Sequence, residues 1–219
     1  MLTDDDLAIA LAEARNLLYM MATDRRAAAT RIGRGLGALR AHLLFRGAEL
    51  GHRVNTTGWV RVVADGRISI GDHVQFSGGM IPSQIVSRSG GELVIGAHSG
   101  FNYGVDIDCT QSIRIGQRCL FGSTVCLCDS EMGRTGPIVI EDNVWIAHGA
   151  IVEPGVRIGA GSVVSAGSVV TTDVPPDSLA LGNPAESFPL GRNVRNDPVS
   201  AQRRDAYVHE AVGNGALHQ

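Results

Sequence analysis

The sequence predicts an all-β solenoid, a parallel β-helix, on three observations. An apolar residue returns every six positions at Ile140, Ile146, Val152, Ile158, Val164 and Val170. Gly, Asn or Asp recurs inside the units, as in Ile140-Glu-Asp-Asn-Val144 and Val152-Glu-Pro-Gly-Val156. The same register returns, less regularly, at Ile70-Gly-Asp-His-Val74, Ile95-Gly-Ala-His-Ser99, Phe101-Asn-Tyr-Gly-Val105, Ile115-Gly-Gln-Arg-Cys119 and Phe121-Gly-Ser-Thr-Val125. A period of six matches neither a helix near 3.6 residues per turn nor an open alternating strand. It fits a short strand with its apolar residue inward followed by a turn, three units to a triangular coil. Such units bury their apolar residues only by stacking, with rungs roughly 4.8 Å apart. Coils are expected from about residue 60 to 182, which divides the chain into an N-terminal helical region (1–58), the β-helix (59–186) and a C-terminal tail or arm (187–219).

Ahead of the coils, Asp4-Asp5-Asp6 supplies cap and first-turn acids for a helix whose Leu7, Leu11, Ala14, Leu18 and Met21 share one stripe. Residues 24–46 hold Arg25, Arg26, Arg31, Arg34, Arg40 and Arg46 with Ile32, Leu36, Leu39 and Leu43 between them. Two readings are open: contact with an anionic glycan or membrane surface, or the favoured one, a helical face closing the open end of the solenoid. Beyond Pro189 the chain turns polar, with a short helix expected near Ala201 to Val212.

At 219 residues the chain fits one domain with terminal additions. A net charge of −3 gives no sign of nucleic-acid binding. All 19 basic residues are Arg, which excludes a lysine base or Schiff base. Cys109, Cys119, Cys126 and Cys128 lie inside the repeat without a C-x-x-C pair, and no secretory signal or long apolar span is read before them. A cytoplasmic protein with reduced, inward-packed cysteines is expected.

Stacking the registers aligns Phe101, Phe121, Ile146 and Val164 on one face. The next column is Asn102, Gly122, Ala147 and Ser165, followed by Tyr103, Ser123, His148 and Ala166. Asn102 and His148 are thereby expected on one edge, two rungs or roughly 10 Å apart. The period breaks between Leu127 and Ile138, so a loop is expected to leave the scaffold there, a common mount for reactive groups.

Val144-Trp-Ile-Ala147, Val152-Glu-Pro-Gly-Val-Arg-Ile-Gly159, Ala166-Gly-Ser-Val-Val170, Asp173-Val-Pro-Pro176 and Gly182-Asn-Pro-Ala185 resemble the hexapeptide-repeat O-acetyltransferases over roughly residues 60 to 186. The resemblance implies a left-handed helix, a homotrimer, and acetyl-CoA or another acyl-CoA bound between neighbouring solenoids. It implies transfer of an acetyl or related acyl group to a hydroxyl of a sugar or glycosylated small molecule, with no metal. Phe101-Asn102-Tyr103-Gly104 is similar to the segment whose asparagine lies at the acceptor and thioester. By the same resemblance the cofactor lies along Ala147, Gly149, Ser165, Ala166, Thr171, Thr172, Asn183 and Pro184.

Two places depart from that pattern. Leu127-Cys-Asp-Ser-Glu-Met-Gly133 resembles the segment ending in the family's catalytic histidine, yet Met132 or Gly133 stands at that place. Three readings of the base stay open: His148, which titrates in the useful range; Glu131 or Asp129, desolvated by the loop; or no base, in a degenerate binding or scaffold member. Where relatives place basic residues near the nucleotide phosphates, this chain has Thr172 and Glu186, so Arg192 or Arg195 is expected to reach back, or the acyl group arrives on a carrier protein. An acyl-cysteine relay through Cys109 or Cys128 is a further option. Ile146-Ala-His148-Gly-Ala also resembles part of the zinc site of γ-class carbonic anhydrases, with Glu153 where their second histidine would stand.

Overall fold

The computed structural model describes residues 36–190. The expected N-terminal helix with its Leu7 stripe, the expected C-terminal helix, and Arg192 and Arg195 lie outside the described residues. Within them the chain winds as a left-handed parallel β-helix of about six turns. Its first face stacks strands Glu49–Leu50, Arg67–Ile70, Glu92–Ile95, Ser112–Ile115, Ile138–Ile140 and Arg157–Ile158. The second stacks Asn55–Thr56, Gln75–Phe76, Gly100–Phe101, Leu120–Phe121, Trp145–Ile146, Val163–Val164 and Ser178–Gly182, and ends on the antiparallel Ala185–Pro189. The third stacks Val60–Ala64, Ser83–Ser87, Asp106–Cys109, Cys126–Cys128, Ile151–Val152 and Val169–Val170. The first corner joins faces one and two, the second corner faces two and three, and the third corner closes the coil.

The coils begin at Glu49, ahead of the boundary expected at residue 59. Glu49-Leu50 and Asn55-Thr56 pair through their backbones with Ser69-Ile70 and Gln75-Phe76, although their side chains break the apolar pattern. The register shifts by 20 residues where Phe101 pairs with Phe121 and by 25 where Phe121 pairs with Ile146, so corner insertions vary while the face residues stay aligned.

Each face sends an apolar column inward, and the first face adds another of Ile68, Leu93, Ile113 and Ile138. Ile70, Ile95, Ile115, Ile140 and Ile158 fill the first and Ile85, Ile107, Leu127, Val152 and Val170 the third. The second tapers from Phe76, Phe101 and Phe121 through Ile146 and Val164 to Ala180. The three phenylalanine rings stack at 4.8 and 4.5 Å between centroids. The buried Ser99 is bonded in place: its Oγ donates to the Gly116 carbonyl at 3.0 Å and accepts from Cys119 N–H at 3.1 Å.

Residues 36–44 are helical and close the first coil, as the favoured reading of the arginine-rich stretch expects, but on a different stripe. Ala41 and Phe45 are buried, with Phe45 continuing the aromatic stack 5.3 Å from Phe76, whereas Leu36, Leu39 and Leu43 are exposed. The tight approach explains the choice of face: a Cβ on Gly37 would fall 1.8 Å from Asn55 Oδ1, so only the glycine side of the helix fits against the coil.

Phe101 sits in the middle of the aromatic column, so Phe101→Ala is expected to cost about 3–5 kcal/mol. A shift of the urea midpoint by the equivalent of less than about 1 kcal/mol would show that the stack does not bear on stability.

Candidate active site at the second corner

The columns expected from the repeat are present at the second corner. Asn102 N–H donates to the Phe121 carbonyl at 2.9 Å, Gly122 N–H to Ile146 at 2.7 Å, Ala147 N–H to Val164 at 2.9 Å and Ser165 N–H to Ala180 at 2.9 Å. These bonds set Asn102, Gly122, Ala147 and Ser165 above one another, with His148 one residue beyond Ala147. The structure therefore brings Asn102 and His148 to one edge, two rungs apart.

The imidazole is not held at its own rung. His148 Nδ1 lies 2.7 Å from Ser123 Oγ of the preceding coil, so the ring leans toward the coil that carries Asn102. Gly122 makes the lean feasible, because a Cβ there would meet His148 N at 2.5 Å. Tyr103, directly above Ser123 in the column, packs instead against Gly79, where an added Cβ would meet its ring at 2.2 Å. Asn102 is oriented too: Tyr103 N–H donates to Asn102 Oδ1 at 2.8 Å, and the Nδ2 hydrogens become the end offered to a ligand. One corner thus presents an amide donor and an exposed imidazole.

Below them the edge is lined by small residues, Ala147, Gly149, Ser165 and Ala166, and ends at the Asn183-Pro184 turn between the last two strands. Thr171 and Thr172 do not join this line. They follow Val169–Val170 and lie at the third corner, across the third face. From Asn183 to Glu186 no residue is basic, so the described part of this turn offers no phosphate partner.

The loop carboxylates separate into two roles. Asp129 is fully buried and accepts from Thr110, Gln111 and Ser112 N–H, each at 2.7 Å. It staples the third corner of one coil to the next and has no face left for a substrate. Glu131 is exposed on a hairpin of Ser130–Glu131 and Arg134–Thr135, also at the third corner and so on a different edge from His148. Met132 and Gly133 form its tip with φ of 49° and 78°, a two-residue turn with both residues left-handed. Arg134 pairs with Glu153 and folds the hairpin onto the third face. That pairing also occupies the carboxylate at the place of the second zinc histidine, and no group of three His, Cys, Asp or Glu side chains converges among the described residues.

Cys109 and Cys119 are buried, as expected, but Cys126 and Cys128 flank the inward Leu127 and point outward on the third face. Burial, reinforced by the negative charge of Asp129, pushes the Cys109 thiol up to about 11. Burial and then Asp106 push Cys126 up to about 12, and Cys128 is raised chiefly by burial. Thiols held protonated at neutral pH are poor nucleophiles, which removes the basis for a cysteine relay.

The repeat did not reveal one further feature. Arg61, Gln84, Arg88, Asp106 and Asp108 line an open trough of about 410 Å³ on the third face, beside the Asn102 corner. Arg88 grips Asp108 through both nitrogens, with Nε to Oδ1 at 2.8 Å. Asp106 is held above the usual carboxylate range by burial and by Asp108. The signal was present in the alternation of Asp106-Ile107-Asp108, which sends both carboxylates outward.

Residues 137–172 match the family model for the bacterial transferase hexapeptide, six repeats. A Schizosaccharomyces pombe protein named as an acetyltransferase is 41% identical over 115 residues, covering 46% of this chain and 54% of that protein. Escherichia coli galactoside O-acetyltransferase is 35% identical over 106 residues, covering 43% and 52%. The chain spans about half the length of these relatives. Among solved structures, the polysialic-acid-specific acetyltransferase NeuO superposes with a TM-score of 0.54 at 23% identity, over 78% of this chain and 80% of that one. It shares the fold.

Two expectations separate structure from chemistry here. Asp129→Ala strips three part-buried N–H groups of one buried carboxylate acceptor and is expected to cost about 3 kcal/mol, while Glu131→Ala stays within about 0.5 kcal/mol; equal effects in urea unfolding would contradict the staple. Alkylation of Cys126 is expected to climb about tenfold per pH unit from pH 7 to 10 without a plateau, since its thiol is pushed up to about 12. A plateau near pH 8 would contradict the protonated state.

Proposed function

We propose, on the premise that the repeats of this chain are those of the hexapeptide-repeat acetyltransferases, that it moves an acetyl or related acyl group from acetyl-CoA to a hydroxyl of a sugar or glycosylated small molecule. The observation that carries this reading is the second corner, where the Asn102 amide, with Oδ1 taken by Tyr103 N–H, and the His148 imidazole, leaning onto Ser123, share one edge with a line of small side chains. When bound, the thioester supplies an activated carbonyl. In this reading His148 Nε2 takes the proton of the acceptor hydroxyl as its oxygen bonds to the carbonyl carbon. His148 then returns that proton to the departing thiolate as the C–S bond breaks. Asn102 Nδ2–H donates to the carbonyl oxygen as charge develops there. The trough of Gln84, Arg88, Asp106 and Asp108 offers the planar polar groups that an acceptor hydroxyl requires.

The assembly that suits this corner is a homotrimer. The first face carries an ion-pair ladder of Glu49, Arg67, Glu92 and Arg114, and Arg157 pairs with Glu141 at the same face. In the later coils the outward positions flanking the second corner are apolar instead: Leu120, Trp145, Val163 and Leu179 on one side, Ile151 and Val169 on the other, the latter continuing a column that is polar at Arg61, Gln84 and Asp106 in the earlier coils. Covering them with a second solenoid turns the edge into a groove. No helix among the described residues is long and apolar enough to cross a membrane.

A second reading, a binding or scaffold member without turnover, is favoured by the hairpin. Its tip carries Met132, 96% exposed, where the resembled enzymes carry a histidine. The two readings differ in thiol release. With acetyl-CoA and a panel of free and glycosidic sugars, the enzyme reading expects acceptor-dependent release, reduced about 10²- to 10⁴-fold by His148→Ala. CoA binding without release from any acceptor supports the scaffold reading. Turnover unchanged in His148→Ala removes the histidine from the mechanism.

A further inference from the structure

We infer that Ser123 and Thr124 are positioning residues that fix His148 in the tautomer with its proton on Nδ1, which leaves the Nε2 lone pair free at the corner. The inference rests on the reading of His148 as the base, and it deepens that reading by assigning the machinery that makes a lone corner histidine usable.

The hydrogen-bond inventory points to the tautomer. Thr124 Oγ1 lies 2.7 Å from the Ser123 carbonyl, an acceptor only, so the single Thr124 hydroxyl proton is spent there. Toward His148 Nδ1, at 3.4 Å, Thr124 Oγ1 can then only accept. Ser123 Oγ, at 2.7 Å from the same nitrogen, is able to donate or accept. Were Ser123 to donate, its proton would take the one Nδ1 lone pair and the Thr124 contact at 3.4 Å would carry no proton. With the proton on Nδ1, one N–H points at two hydroxyl oxygens, at 2.7 Å for Ser123 and 3.4 Å for Thr124, and both contacts are used. The Ser123 hydroxyl proton is then free to turn toward the corner.

Rigid supports hold this arrangement. Ser123 is 8% exposed, and its carbonyl also accepts from Gly149 N–H at 2.9 Å, so the serine of one coil is bound to the residue after the histidine of the next. His148 carbonyl accepts from Gly167 N–H at 2.9 Å, tying the histidine's own backbone to the following coil. A histidine in water favours neither function strongly. Here the imidazole is clamped on one nitrogen and open on the other, the arrangement a general base needs.

The tautomer is read directly by ¹⁵N NMR of the full-length protein labelled at histidine, at a pH where His148 is neutral and with His148→Ala to assign its signals. Expected is a protonated Nδ1 and an unprotonated Nε2; the opposite pattern overturns the inference. Ser123→Ala is expected to raise the Nε2-protonated population and to lower kcat about tenfold or more, with urea stability little changed, and Ser123→Thr to restore both signals. A Ser123→Ala spectrum identical to wild type also overturns it. The proposed function fails separately: if the wild-type tautomer is as inferred but His148→Ala keeps full turnover, the clamp stands and the catalytic role of His148 does not.

Discussion

Everything in this molecule depends on backbone hydrogen bonding between successive coils. Because each strand pairs in parallel with the one a turn away, a residue's side chain lies over the equivalent residue of the next coil, whatever the corners do between. That constraint makes columns, and the columns do the rest. Inward columns of Ile, Val and Phe supply the core, which no single coil could assemble alone. Corner columns place residues far apart in the chain within reach of one another, as Ser123 and His148 are across 25 positions.

The three faces and corners then diverge by composition. The first face is a charged ladder suited to water, and its exposed ion pairs add little to stability individually. The third corner absorbs the long insertion, closes it into a hairpin and anchors it with the buried carboxylate of Asp129. The second corner is built of small residues around an imidazole and an amide, with apolar flanks in the later coils and a polar third-face flank in the earlier ones. The proposed chemistry is assigned there because that corner carries an amide donor and an imidazole together. The outward thiols on the third face add polarizable surface and not reactivity, since burial and neighbouring carboxylates keep them protonated.

The fold was legible in the sequence because a six-residue period leaves few alternatives, and the same period placed Asn102 and His148 on one edge before any coordinates. The residues that escaped do so for identifiable reasons. Glu49-Leu50 and Asn55-Thr56 belong to the first coil through backbone pairing alone, which leaves no apolar signature. The capping helix uses its Gly37–Ala41–Phe45 side because close approach outweighs the larger leucines, a matter of fit and not of hydropathy. Asp129 and Glu131 look alike in the chain, yet two residues' difference in position separates a buried staple from a solvated hairpin. The clamp on His148 joins side chains of different coils, and no linear pattern encodes whether a hydroxyl's one proton is already committed.

Hydrogen–deuterium exchange of the full-length protein, with and without saturating CoA, tests the central claim most directly. The account predicts that CoA protects amides of the second corner, at residues 102–104, 122–124, 147–149 and 165–167. Protection confined to the third corner, around residues 129–137 and 171–172, with the second corner unchanged, would contradict it.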